Sequence, residues 1–96
     1  VLVIRYKAIR KFKAARPDAG PALDNWCGVS SVGKWSSFAE VKQVLGSADW
    51  VKRYVVFNVA GNQYRLIAEI NFRSQTLFIR HILTHQEYAE GKWKKP

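Results

Sequence analysis

Residues Tyr54 to Tyr88 read YVVFNVAGNQYRLIAEINFRSQTLFIRHILTHQEY. The stretch is rich in β-branched and aromatic residues, and two short polar breaks divide it. Ala60-Gly61-Asn62 and Arg73-Ser74-Gln75 are each short enough for a hairpin turn. The pattern predicts three consecutive strands, Arg53–Val59, Gln63–Phe72 and Thr76–Leu83, that end in the polar cluster Thr84-His85-Gln86-Glu87-Tyr88. In the middle strand, Tyr64, Leu66, Ala68, Ile70 and Phe72 point one way, and Arg65, Ile67, Glu69 and Asn71 the other. Both faces are largely apolar at the strand centre. Helices are therefore expected to cover one face fully and leave part of the other open.

The segment before Tyr54 supplies those helices. Val1 to Tyr6 reads as a short first strand. Lys7 to Arg16 reads as a helix with Ala8, Ile9, Phe12 and Ala15 on one side, and Pro17 ends it. A second helix begins between Asp18 and Pro21 and runs to about Ser31, with Ala22, Leu23, Trp26 and Cys27 at helical spacing. Ser37-x-x-Glu40 has the form of a capping box for a third helix, and Gly46 is placed to stop it. Ser47 to Lys52 reads as a loop carrying Trp50, and Gln86 to Gly91 as one more helical turn. The expected order is β-α-α-α-β-β-β-(α). This is an α+β domain with a small twisted, mainly antiparallel sheet, an N-terminal strand and helices packed on one face. No repeat or linker divides the chain, so residues 1–96 are expected to form a single domain.

Composition narrows the function. Forty-eight percent of the 96 residues are hydrophobic, enough for a small core. Sixteen Lys and Arg stand against seven Asp and Glu, a net charge of +9. The first sixteen residues hold Arg5, Lys7, Arg10, Lys11, Lys13 and Arg16 and no acid, and Lys92, Lys94 and Lys95 close the chain. Nucleic acid is the usual partner of so basic a domain. Cys27 is the single cysteine, which excludes an internal disulfide; its apolar neighbours suggest a buried thiol. The chain shows no apolar run long enough to span a membrane and no secretion signal, so a soluble, cytoplasmic protein is expected.

Several chemistries lack their residues. His81 and His85 are four apart but straddle a strand end, where that spacing is about 13 Å. They have no Cys partner and no H-E-x-x-H context, so no metal site is expected. No nucleophile elbow and no glycine-rich phosphate loop occur.

Metal-free RNA cleavage makes other demands. The ribose 2′-OH attacks the adjacent phosphate, a base takes its proton, an acid protonates the leaving 5′ oxygen, and fixed cations stabilise the added charge. Arg65, His85 and Tyr88 are residue types suited to that work. Hairpin order places the start of the middle strand and the end of the last at one edge of the sheet, so Arg65 and His85 converge. Lys52, Arg53, Arg73, Arg80, Lys92 and Lys94 are candidate RNA contacts. Each has a plainer reading. Arg65 is equally consistent with an ion pair to Glu69, His85 with a turn residue, and Tyr88 with a cover for the sheet edge.

At these residues the chain resembles the HigB toxins of bacterial toxin–antitoxin systems. The phrases Phe57-Asn58-x-x-Gly61-Asn62, Tyr64-Arg65-Leu66 and Thr84-His85-x-x-Tyr88 carry the resemblance, which spans nearly the whole chain. It implies a RelE-like fold and an endoribonuclease that cuts mRNA during translation on the ribosome, with no cofactor. It also implies a HigA-like helix-turn-helix antitoxin that neutralises the toxin, operator DNA being bound only through that complex. By the resemblance, Arg65 meets phosphate, His85 holds the place of a catalytic histidine or arginine, and Tyr88 matches a following aromatic. The lysine pair that some RelE relatives carry in the sheet is missing here, which leaves the general base open. The alternative reading is a non-catalytic nucleic-acid-binding module, for which basic charge and exposed aromatics suffice.

Overall fold

The computed structural model describes residues 1–61 and 63–94. Asn62 of the first hairpin and Lys95 of the terminal basic cluster lie outside the described residues. The chain runs through β1 (Leu2–Ile4), α1 (Tyr6–Ala15), a 3-10 turn (Pro17–Ala19), α2 (Gly20–Val32) and α3 (Phe38–Val44). It continues with β2 (Asp49–Val51), β3 (Tyr54–Val59), β4 (Tyr64–Asn71), β5 (Thr76–Thr84), α4 (His85–Glu90) and a 3-10 turn (Lys92–Lys94).

The three central strands form where the pattern places them. The sheet has five strands in the order β1-β5-β4-β3-β2. β1 runs parallel to β5 and the other pairs are antiparallel. The expected order therefore needs one correction. Asp49–Val51, read as loop, is the short edge strand β2, paired Trp50 to Val55. Three residues are too few to show alternation, and the strand exists because β3 offers it an open edge.

β4 divides the molecule as its alternation predicts. Tyr64, Leu66 and Ala68 join Val55, Phe57, Leu77 and Ile79 in the main core, with Ile9 of α1, Leu23 and Trp26 of α2 and Val41 of α3. Each large side chain sealed there, Phe57 for example, contributes about 2–3 kcal/mol. The other face is covered only in part, as expected, and Arg53, Glu69 and Arg80 stay accessible on it. Ile67, Val56 and Tyr54 form a second, smaller cluster with Trp93, and Leu83 and Tyr88 pack against it. The first three helices thus cover one face, and the C-terminal segment lies on the opposite one.

A register shift sorts β5 between these faces. Ile67 pairs with His81, but Ala68 pairs with Ile79, so Arg80 is an extra residue. In a regular strand Ile79 and His81 would share a face. The shift keeps Ile79 in the main core and turns His81 and Leu83 toward the second cluster.

Two local devices differ from expectation. Ser37 makes no side-chain cap to α3. Instead the Glu40 carboxylate accepts from the Ser36 amide at 2.9 Å and the Ser36 hydroxyl at 2.7 Å, which holds its pKa below the ordinary range. Ahead of α3, Gly33 lies so close to the Trp35 indole that a Cβ would sit 2.8 Å from the ring. Trp35 can be buried there only because that position has no side chain.

Candidate active site

β4 and β5 pair with Arg65 opposite Leu83 and Tyr64 opposite Thr84, so the start of one strand and the end of the other share an edge. A capping box turns β5 into α4 at that edge. Thr84 Oγ1 accepts from the Glu87 amide at 3.2 Å, and Glu87 Oε1 accepts from the Thr84 amide at 2.9 Å. The signal Thr84-x-x-Glu87 stands in the sequence, and it is this pattern, not the similar Ser37-x-x-Glu40, that forms a capping box. The box makes His85 the first helical residue. The His85 amide donates to the Gln63 carbonyl at 2.9 Å, which ties the helix start to the start of β4. At the other end Gly91 takes φ +76°, a left-handed stop suited to glycine.

Arg65 is the buried charged side chain among the described residues, 8% exposed. Its Nη1 donates to the Tyr64 carbonyl at 3.1 Å, and its Nη2 lies 3.2 Å from His85 Nδ1. The guanidinium rests over the Tyr88 ring, 5.5 Å from the centroid. Tyr88 stacks on Trp93 at 5.1 Å and 14°, and Trp93 donates its indole N–H to the Tyr88 carbonyl at 3.0 Å. The structure thus brings Arg65, His85 and Tyr88 together, the three residues singled out in the sequence. Trp93, not a candidate site residue by sequence, fixes Tyr88 and is itself buried, as a core or lid tryptophan would be.

An arginine has no acceptor and stays protonated. Nδ1 of His85 must therefore present its lone pair to Arg65. The neutral ring then carries its proton on Nε2, as a hydrogen-bond donor on the side away from the arginine. The set can bind an anion and donate hydrogen bonds to it.

Arg65 does not pair with Glu69. Glu69 Oε1 instead accepts from Arg53 Nε at 3.3 Å and Arg80 Nε at 3.2 Å, on the same sheet face as Arg65. Lys94 Nζ lies over the Trp93 ring at 5.6 Å, and Lys92 reaches Glu90 at 3.5 Å. Lys52 sits in the β2–β3 turn with φ +56°. Arg73 lies in the turn at the far end of the β4–β5 hairpin, so the structure does not bring it to Arg65 and His85.

His81 faces a cavity of about 360 Å³ with Leu83, Glu87 and Trp93. Burial, then the neighbouring Arg80, pushes its pKa down. Cys27 is half-buried rather than buried, and burial pushes its thiol up, away from the reactive thiolate. Among the described residues no three His, Cys, Asp or Glu side chains converge as a metal site, and no helix is long and apolar enough to cross a membrane. A cavity of about 1150 Å³ is lined by Leu2, Val32 and Trp35 among others. It reaches Gln75, at the opposite end of β5 from His85. It is mainly apolar, takes in Cys27, and holds none of Arg65, His85, Tyr88 and the candidate RNA contacts.

Residues 19–91 match a family described as the RelE-like toxic component of a toxin-antitoxin system. The chain belongs to the HigB toxin family. The match takes in Arg65, His85 and Tyr88. Two HigB relatives are the mRNA interferase toxin HigB of Escherichia coli K12 and the mRNA interferase HigB of Shigella flexneri. Each is 36% identical over 67 residues, 70% of this chain and 64% of the relative. A third, the mRNA interferase HigB of Escherichia coli O6:H1, is 44% identical over 44 residues, 46% of this chain and 43% of the relative. The matched region thus spans a little under two-thirds of the first two HigB proteins.

Proposed function

We propose that this member of the HigB family is an endoribonuclease that cleaves mRNA, acting as one RelE-like domain over residues 1–96. The observation that carries the proposal is the contact between Arg65 and His85 at a sheet edge, in a chain of net charge +9. The mRNA interferase names of its relatives support the same reading.

In the proposed reaction the ribose 2′-OH attacks the adjacent phosphorus, and the bond from phosphorus to the 5′ oxygen breaks. When Arg65 turns from His85 to the phosphate, Nδ1 of His85 takes up a proton from solvent, and the resulting imidazolium gives its Nε2 proton to that leaving oxygen, which yields a 2′,3′-cyclic phosphate and a 5′-OH end. Arg65 stabilises the charge that builds on the phosphoryl oxygens. Tyr88 positions Arg65 by lying beneath its guanidinium. With His85 in the acid's role, the base that accepts the 2′-OH proton is supplied elsewhere, by the ribosome-bound substrate or by solvent. Lys52, Arg53, Arg73, Arg80, Lys92 and Lys94 hold the RNA backbone. Cleavage takes place in the cytoplasm during translation. A HigA-like helix-turn-helix antitoxin neutralises the protein, and operator DNA is engaged only through that complex.

The test is to map mRNA 5′ ends after tightly controlled expression in a bacterium, beside Arg65→Ala and His85→Ala. New ends within translated messages, lost in both variants, support the proposal. Cuts that survive both substitutions keep the activity and overturn the residues. No cuts from the folded protein leave a non-catalytic nucleic-acid-binding module.

A further inference from the structure

The Arg53–Glu69–Arg80 cluster joins two exposed ion pairs on one carboxylate oxygen. Both guanidiniums direct Nε at the same oxygen, Glu69 Oε1, Arg53 from the β2–β3 turn and Arg80 from β5. Each is also propped on an aromatic ring. Arg53 lies 4.7 Å from the Tyr54 centroid and donates Nη2 to the Tyr54 hydroxyl at 2.6 Å. Arg80 lies 5.2 Å from the Phe78 centroid. Stacking fixes each planar fork, so both are held in place before any ligand arrives. Arg80 stands here only because the register shift makes it an extra residue in β5.

We propose that Arg53 and Arg80 form a second phosphate subsite for single-stranded RNA. In the free protein the Glu69 carboxylate occupies the place of the phosphate. The inference rests on the nuclease reading above and deepens it. A carboxylate and a phosphate diester present the same feature to a guanidinium fork, a planar or near-planar pair of anionic oxygens. Glu69 is bound by exposed ion pairs, with 58% of Arg53 and 36% of Arg80 in contact with solvent. Such pairs are weak and exchange readily for a better acceptor. An RNA phosphate takes up the two Nε–H groups, and Glu69 swings to solvent.

The subsite stands in line with Arg65. Residues 65 and 69 share a face of β4, four residues or about 13 Å apart. A continuous run of ring contacts joins them. Arg65 lies over Tyr88, Tyr88 stacks on Trp93, Trp93 meets Tyr54 edge-on at 5.7 Å, and Tyr54 holds Arg53. A strand of RNA that places one phosphate at Arg65 runs toward Arg53 and Arg80 across this ridge, with Lys94 above Trp93. Glu69 is then a gate on affinity. It keeps the subsite neutralised toward weak anions and yields to a chain already anchored at Arg65.

The experiment measures binding of an octanucleotide RNA, 2′-O-methylated throughout so that it resists cleavage, across a salt series. Arg53→Ala/Arg80→Ala is expected to weaken binding about tenfold or more. It should also reduce the log–log salt slope by about 0.7, one phosphate contact. Lys7→Ala/Lys11→Ala removes the same charge from α1 on the other side of the sheet and should cost clearly less. Glu69→Gln should tighten binding severalfold, with the melting temperature of every variant checking the fold. Equal losses from the two double variants overturn the subsite, as does a Glu69→Gln protein that binds no better than wild type. If those results come with a wild type that binds and an Arg65→Ala variant that does not, the subsite alone fails. A wild type with no affinity for the octanucleotide defeats the nuclease reading and the subsite together.

Discussion

Arg65 and His85 are twenty residues apart in the chain, and Nη2 of the one lies 3.2 Å from Nδ1 of the other. The contact fixes the imidazole tautomer and leaves Nε2–H as the outward donor. Arg65→Lys keeps the charge but loses the fork that meets the Tyr64 carbonyl, His85 and the Tyr88 ring at once. Its cleavage rate in single turnover is expected to fall about 10²-fold. His85→Ala is expected to fall about 10²- to 10⁴-fold. If Arg65→Lys cleaves at the wild-type rate, the planar geometry has no role.

The capping box is what points His85 at Arg65. Thr84→Ala is expected to lower stability by about 1 kcal/mol, read from urea denaturation. Glu87→Ala should cost a similar amount, and the double variant less than the sum, because the two side chains act as one unit. Cleavage should fall in all three with little change in RNA affinity. Fully additive losses would show that the box is not a unit.

Trp93 is 4% exposed and holds Tyr88 by stacking and by its indole N–H. Trp93→Ala is expected to destabilise the protein by about 3 kcal/mol and to reduce cleavage. Trp93→Phe keeps a ring under Tyr88 and should recover most of the activity, though not the hydrogen bond. Near-ultraviolet circular dichroism follows the loss of ring packing. A Trp93→Ala protein with unchanged activity would separate this ridge from the site.

Two groups make the fold sensitive to acid in separate windows. His81 has a folded pKa below its ordinary 6.5, owing to burial and then Arg80. As pH falls through 6.5, the unfolded chain takes a proton that the folded chain does not, so stability declines until the folded group also titrates. His81→Gln should flatten the melting temperature over that interval. Glu40 has a folded pKa below its ordinary 4.5, owing to its hydrogen bonds from Ser36. Its contribution is present above 4.5 and is lost as pH falls through the folded value. The melting-temperature difference between wild type and Glu40→Gln should therefore close only at the acid end. A His81→Gln protein with the same slope between pH 5 and 7 as wild type would rule out that assignment.

Much of this molecule is legible in its sequence because burial has a period. Alternation in Tyr64–Phe72 sorts β4 into its two faces correctly, since a strand half-buried on each side must alternate. The apolar stripes of the first three helices and the hairpin order that joins Arg65 to His85 are legible for the same reason. Glu40 bonds Ser36 rather than Ser37, one residue from the position the pattern marks. β2 was invisible because three residues carry no period.

The chain by itself therefore determined the α+β class, the three central strands, the basic balance and the meeting of Arg65, His85 and Tyr88 at one edge. Tertiary structure alone decided what sits on the second face. The register shift at Ile67 and Ala68 turned His81 toward Trp93 and placed Arg80 beside Glu69. Nothing local marks such a shift. Its position is set by how β5 must twist to keep Ile79 in one core and Leu83 against the other. That constraint arises only once both faces are packed.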